Sequence, residues 1–280
     1  MKNQLRFLVL LFLASSIHTF AQSHSFDITL QSNDLAKDEA NATLRIFLPT
    51  SDKVENTVDS TIAGSRTLLI LPGGGYTHLA KENEGYSWAP FFNERGIAVA
   101  VLSYRMPKGR YQVPSNDVNQ AFSILREHAR EWKLNIKQMG IMGYSAGGHL
   151  ASTVATHNID SLKPAFQILF YPVISMEKGI THQGSRDNLL GTAPTQELID
   201  NYCNEKQVTS TTPRAFIVLS DDDTAVPPIN SAQYYIALKK AGVPASLHIY
   251  PSGGHGFGYR TSFKYHAEMI KELSEWLESF

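Results

Sequence analysis

The sequence predicts an α/β fold: one mostly parallel sheet with helices on both faces. Two observations carry this. Short runs of apolar and β-branched residues recur along the chain, among them LLIL at 68–71, IAVAVL at 97–102 and FQILF at 166–170. Longer stretches with apolar residues at helical spacing separate them. A strand that is apolar on both sides belongs in a sheet covered on both faces, and intervening helices supply the crossovers that parallel strands need. With 25 Lys and Arg against 26 Asp and Glu, the net charge is −1, so no basic surplus points to nucleic acid or an anionic membrane. The single cysteine, Cys203, excludes an internal disulfide and a multi-cysteine metal site.

The first 21 residues have a different character. Lys2 and Arg6 precede an apolar core from Phe7 to Ala14, and Thr19 and Ala21 place small residues at −3 and −1 of a cut before Gln22. This is the layout of a signal peptide. The apolar run is too short to span a bilayer, so the expectation is an exported, periplasmic or extracellular protein without stable membrane insertion. No linker or repeat divides residues 22–280, which read as one catalytic α/β domain.

The opening segments SFDITL and ATLRIFLP have strand length and pattern. A polar link, Thr50 to Ser65, leads to RTLLILPGGGY, an apolar strand that ends in three glycines. A helix is expected over Ser87 to Glu94, stopped by Gly96, and IAVAVLSYR is the next strand. Val118, Ala121, Phe122, Leu125 and Ala129 fall on one face of a helix within 116–132. A strand ending at Gly143 and a helical segment after Ser145 follow, then the strand AFQILFYP. The polar, weakly periodic stretch from Ser175 to Thr212 reads as an excursion that roofs a site. RAFIVLS and ASLHIYP are strands, and NSAQYYIALKKAG and the last nineteen residues are helices.

In open parallel sheets, reactive groups collect at the carboxyl ends of the strands. There the chain places Gly143-Tyr144-Ser145-Ala146-Gly147. A Gly-X-Ser-X-Gly turn between strand and helix holds its serine in a strained conformation with the hydroxyl presented, and side chains in place of the flanking glycines would collide with neighbouring elements. The following helix aims its N-terminal amides at the same point. The competing reading is a glycine-rich turn that happens to carry a serine.

A serine hydroxyl needs a base. Of the ten histidines, His18 lies in the signal segment, His128 and His266 fall in predicted helices, and His248 falls in a strand. His149 is expected to face along the helix after the turn. His255, in PSGGHGFG, follows the last strand on a loop that reaches over the sheet edge, and is the candidate base. SDDDTAVP follows the preceding strand and offers Asp221, Asp222 and Asp223. Asp223, just before the turn, is preferred as the acid that orients the imidazole, with Asp222 the alternative. Gly74 or Gly75, together with the N–H of Ala146, are the candidate oxyanion donors. The glycine run is no P-loop, because no Lys-Ser/Thr follows it. Tyr76, Trp88, Tyr144 and Tyr171 stand near strand ends, where they either stack on sugar rings or pack into the core.

Four segments, ILPGGGYTHLAKENEGYSWAPFFNERGIAVAVLSYRMP, GIMGYSAGGHLAS, SDDDTAVPPINS and GGHGFG, together resemble the α/β-hydrolase carbohydrate esterases, and in particular bacterial acetylxylan esterases and related hemicellulose deacetylases. The resemblance covers nearly all of 22–280. It implies an α/β-hydrolase fold, a Ser145–His255–Asp223 triad and an acetylated hemicellulose or oligosaccharide as the partner; no large lid is evident in the sequence, and such a triad requires no metal or organic cofactor. The chain departs from lipase-like relatives at Pro72, where many carry histidine before the glycines, and at Leu219-Ser220, where a His-Gly often precedes the acid. A feruloyl or other short-chain carboxylesterase is the alternative activity. A prolyl-oligopeptidase-like peptidase, which usually brings a further domain, and a non-catalytic binding protein on the same scaffold are more distant ones.

Overall fold

Alternate residues of the third strand face different cores, and this decides the layering. In the computed structural model, which describes residues 24–37, 39–50, 64–159 and 162–280, strand β3 runs Ser65–Leu71. Its Leu69 and Leu71 enter one apolar cluster, while Leu68 and Ile70 enter the other. A strand with period-two side chains that are apolar on both faces is stable only when both are covered.

Among the described residues the sheet has eight strands in the order β1-β2-β4-β3-β5-β6-β7-β8. The outer pair, β1 (His24–Thr29) and β2 (Thr43–Leu48), is antiparallel, and β2 also meets β4 (Ala98–Ser103) antiparallel. From β4 onward every pairing is parallel: β3 with β4 and with β5 (Leu134–Tyr144), β5 with β6 (Phe166–Phe170), β6 with β7 (Arg214–Ser220), and β7 with β8 (Ala245–Tyr250). The parallel strands therefore release their carboxyl ends along one edge.

Helices α2 (Gln112–Glu127), α3 (Ala146–His157) and α6 (Ile229–Lys240) cover the face of Leu69 and Leu71, contributing Phe122, Leu150 and Leu238. Helices α1 (Ala89–Asn93) and α7 (His266–Glu278) cover the other face with Phe91, Phe92, Met269, Leu273 and Leu277. The expected helix over 87–94 is thus a shorter α1 preceded by one 3₁₀ turn at Tyr86–Trp88. Helix α2 starts four residues ahead of the predicted segment. Pro114 falls in its first turn, where the missing N–H costs no intrahelical bond.

The stretch 175–212 is more ordered than its polar composition suggests. It forms α4 (Gln183–Leu190) and α5 (Gln196–Asn201), and it sinks Leu189, Leu190, Ile199, Tyr202 and Cys203 into the core. Among the described residues no helix is long and apolar enough to cross a membrane. The signal-like segment 1–21 lies outside the described residues, as does most of the link from 50 to 65.

His149 does not face along its helix. It is fully buried, with Nδ1 3.0 Å from Tyr76 Oη and Nε2 donating to Tyr202 O at 2.9 Å. Burial favours the neutral ring and brings its pKa from 6.5 down to about 4. The unfolded chain therefore takes up this proton first as pH falls. The His149 contribution to stability is complete above about pH 6.5 and is lost towards pH 4, by about 3 kcal/mol. Urea midpoints at pH 7 and pH 4.5 test this. A His149→Gln variant, less stable at pH 7, shows a smaller drop between the two than the parent chain.

Candidate active site

The carboxyl edge of the sheet gathers the loops after β3, β5, β6, β7 and β8. Ser145 sits between β5 and α3 at φ 52°, ψ −120°, a conformation that L residues adopt at a cost of about 1–3 kcal/mol. Three main-chain bonds hold it there. Its N–H donates to Phe170 O at 3.0 Å, and its carbonyl accepts from His149 N–H at 3.1 Å and Val173 N–H at 3.0 Å. The strain turns the side chain out of the strand towards the last loop.

That loop supplies His255, whose Nε2 lies 2.8 Å from Ser145 Oγ. Its Nδ1 lies 2.6 Å from Asp223 Oδ2. Because a carboxylate only accepts, the neutral ring carries its proton on Nδ1 and leaves Nε2 to accept from the serine hydroxyl. Asp223 is buried, and its other oxygen accepts the N–H groups of Ala225 and Val226, both at 2.9 Å. This turn fixes the acid. Asp222, the alternative, is not the carboxylate bonded to His255. Its Oδ1 accepts the Gly254 N–H at 2.8 Å and so steadies the histidine loop from one residue away. Asp221 is exposed.

The glycine loop after β3 lies against the serine. Gly73 donates its N–H to the buried carboxylate of Glu84 at 2.8 Å, which removes it as a donor to anything else. Among the described residues, the N–H groups of Gly74 and Gly75 meet no protein acceptor, and the N–H of Ala146 is one of the orphan amides in the first turn of α3. Gly74 has no room for a side chain. At its φ of 136° a Cβ would stand 2.1 Å from His78 O.

The four aromatic residues offered for sugar stacking are all buried. Trp88 packs among Phe91, Phe92 and Phe170, and Tyr144 lies against Trp88 and Phe170. Tyr76 bonds His149, and Tyr171 turns its ring edge-on to His255 with centroids 4.7 Å apart. None presents a free ring face, so the stacking role is corrected to core packing. A period of large apolar residues near strand ends marks the core as readily as a surface.

Two residues near the site escaped sequence reasoning. Glu84 is one of three charged residues in the run KENE, and nothing in the run distinguishes the buried one. His182 caps α4, its Nδ1 accepting the Ser185 N–H at 3.2 Å. Its Cε1 lies 3.6 Å from where a Cβ on Gly75 would be. Burial and the nearby His255 lower its pKa, so it stays neutral at lower pH than an exposed histidine. Asn188, later in the same helix, donates to Gly75 O at 2.8 Å and ties the excursion to the glycine loop.

The profile of the alpha/beta hydrolase fold family matches residues 68–258, which span β3 through the histidine loop. The chain belongs to that family. It is similar to an acetylxylan esterase from Xylanibacter ruminicola, with 43% identity over 246 residues that make up 86% of this chain and 49% of that protein. It is also similar to endo-1,4-beta-xylanase B of Butyrivibrio fibrisolvens, with 34% identity over 204 residues, 68% of this chain and 32% of the other. The chain thus spans half or less of the length of these two curated relatives. Among solved structures, the acetyl ester-xyloside bifunctional hydrolase from Caldicellulosiruptor lactoaceticus superposes with a TM-score of 0.74 at 33% identity, covering 84% of this chain and 88% of that one.

As an alpha/beta hydrolase the chain depends on close contact between α3 and β3. A Cβ on Gly147 would stand 2.2 Å from Leu71 O and 2.5 Å from Pro72 O, and both neighbours are backbone. Gly147→Ala is expected to lower the free energy of unfolding by about 2 kcal/mol, measured by urea titration at pH 7. Gly179→Ala meets nothing within 4 Å and isolates the cost of a positive φ alone.

Proposed function

We propose that the protein is a secreted serine esterase that removes acetyl groups from acetylated xylan or xylo-oligosaccharides. One observation carries the chemistry: strained Ser145, His255 and buried Asp223 form a continuous chain of 2.8 and 2.6 Å contacts beside unoccupied backbone donors. The similarity to an acetylxylan esterase and to an acetyl ester-xyloside hydrolase supports the choice of acetyl and xylan.

Ser145 Oγ attacks the acetyl carbonyl carbon as His255 Nε2 takes the hydroxyl proton. The carbonyl oxygen becomes an oxyanion and is held by the N–H of Ala146 with that of Gly74 or Gly75, each such bond lowering the barrier by about 3 kcal/mol. Asp223 stabilises the imidazolium that forms. Collapse breaks the bond to the sugar oxygen, which leaves with the proton from His255. Water then attacks the acetyl-enzyme, giving its proton to His255, and acetate departs as Ser145 Oγ recovers that proton.

Acetate release from acetylated xylan, acetylated pectin, acetylated chitin oligomers and aryl acetates is the test. Xylan is expected to give the highest kcat/KM of the polymers. Ser145→Ala is expected to abolish release from all of them, and ordinary aryl acetate hydrolysis by that variant would sink the assignment. Asp223→Asn should lower kcat by about 10⁴ while leaving KM close to the parent value.

Export follows from the layout of 1–21. N-terminal sequencing of protein recovered from the periplasm or medium is expected to begin at Gln22, and mature protein that still begins at Met1 would contradict it.

A further inference from the structure

Two adjacent residues, Asn83 and Glu84, join the glycine loop to the histidine loop. Glu84 is 4% exposed. Its Oε2 accepts the Gly73 N–H at 2.8 Å and its Oε1 accepts the Tyr171 hydroxyl at 2.8 Å. Tyr171 Oη in turn accepts the Gly258 N–H at 2.9 Å, while the ring meets His255 edge-on. Asn83 Nδ2 donates to Gly256 O at 3.1 Å and Phe257 O at 3.3 Å, and Asn83 O accepts the Tyr259 N–H at 3.1 Å.

We infer that Glu84 is a positioning residue that sets the oxyanion donors and the catalytic histidine together. This rests on the reading of Ser145 as nucleophile. The carboxylate anchors Gly73, so the following amides of Gly74 and Gly75 are left facing the reacting carbonyl. Through Tyr171 it also anchors Gly258 and the ring against which His255 rests.

The chemistry of the site selects a carboxylate. Two donors, an amide N–H and a phenolic O–H, converge from different loops on one side chain. Only an ionised carboxyl offers two accepting oxygens without a donor of its own, whereas a glutamine turns an N–H towards one of them. Among the described residues no lysine or arginine forms an ion pair with Glu84. Burial raises its pKa, and the bonds from Tyr171 and Gly73, together with the nearby His255 and Arg260, work against that rise. A buried carboxylate with no ion-pair contact is costly, and an apolar residue of like volume would fill the space at less cost. The carboxylate is accounted for by what it holds.

The experiment compares the parent chain with Glu84→Gln and Tyr171→Phe, each shown to be folded by near-UV circular dichroism and cooperative thermal unfolding. Two readouts are taken: kcat and KM on an aryl acetate, and the rate at which a fluorophosphonate labels Ser145. Both variants are expected to lose at least about tenfold in kcat with KM within about twofold, and labelling is expected to slow in step. A folded variant with parental kcat and labelling rate would overturn the inference, and so would a change confined to KM or to thermal stability. If Glu84→Gln does not fold, Tyr171→Phe decides, since it keeps the ring and loses only the hydroxyl. A parent chain that is labelled but releases no acetate from any ester defeats the proposed function, and the labelling rates still decide the role of Glu84. A parent chain that resists labelling overturns both.

Discussion

The approach of α3 to the end of β3 is the constraint on which the rest of the carboxyl edge depends. Gly147 lets the helix backbone come within contact distance of the carbonyls of Leu71 and Pro72. That approach places the first turn of α3 beside the glycine loop, and it forces the chain between β5 and α3 through the strained conformation at Ser145. The strain is sustained by main-chain bonds to β6 and to the segment after it. It is a property of how three elements meet, rather than of the serine alone. The burial of Leu68 to Leu71 on both faces of the sheet supplies the cohesion that offsets it.

Much of this was legible in the residues. Continuous apolar runs marked β3 to β7, because a strand covered on both faces leaves no polar alternation to confuse the reading. Gly143 and Gly147 announced a tight turn, and a histidine and an aspartate each placed after a strand announced the loops that meet it. The loop after β3 was legible as glycine, although the commitment of Gly73 to Glu84 was not. Burial separates what could be read from what could not. Glu84 is indistinguishable by composition from the solvated carboxylate at Glu82, and Trp88, Tyr144 and Tyr171 near strand ends look like surface until their neighbours fill in around them. The helices α4 and α5 were obscured for a related reason: they are short and mostly polar, and α5 buries only Ile199.

The corrected aromatics change the picture of the edge. Trp88, Tyr144 and Tyr171 belong to the cluster under α1 and α7, where Trp88, Phe92, Tyr144 and Phe170 pack ring on ring, whereas Tyr76 lies in the cluster on the opposite face. Packed interiors resist small displacements, so this packing backs up the hydrogen bonds that hold the groups at the edge. Tyr171 belongs to both worlds, its ring within the cluster and its hydroxyl among the polar groups.

The latch between Asn188 and Gly75 bears on how the fold tolerates change. The segment carrying α4 connects β6 to β7, and surface connections are where length and composition drift most freely. Here it is tethered to the glycine loop beside Ser145. Variation in that connection is therefore not neutral trimming at the rim. Any rearrangement that pulls on Asn188 pulls on the glycine loop, so the part of the chain most open to drift is mechanically coupled to the part that has least room to move.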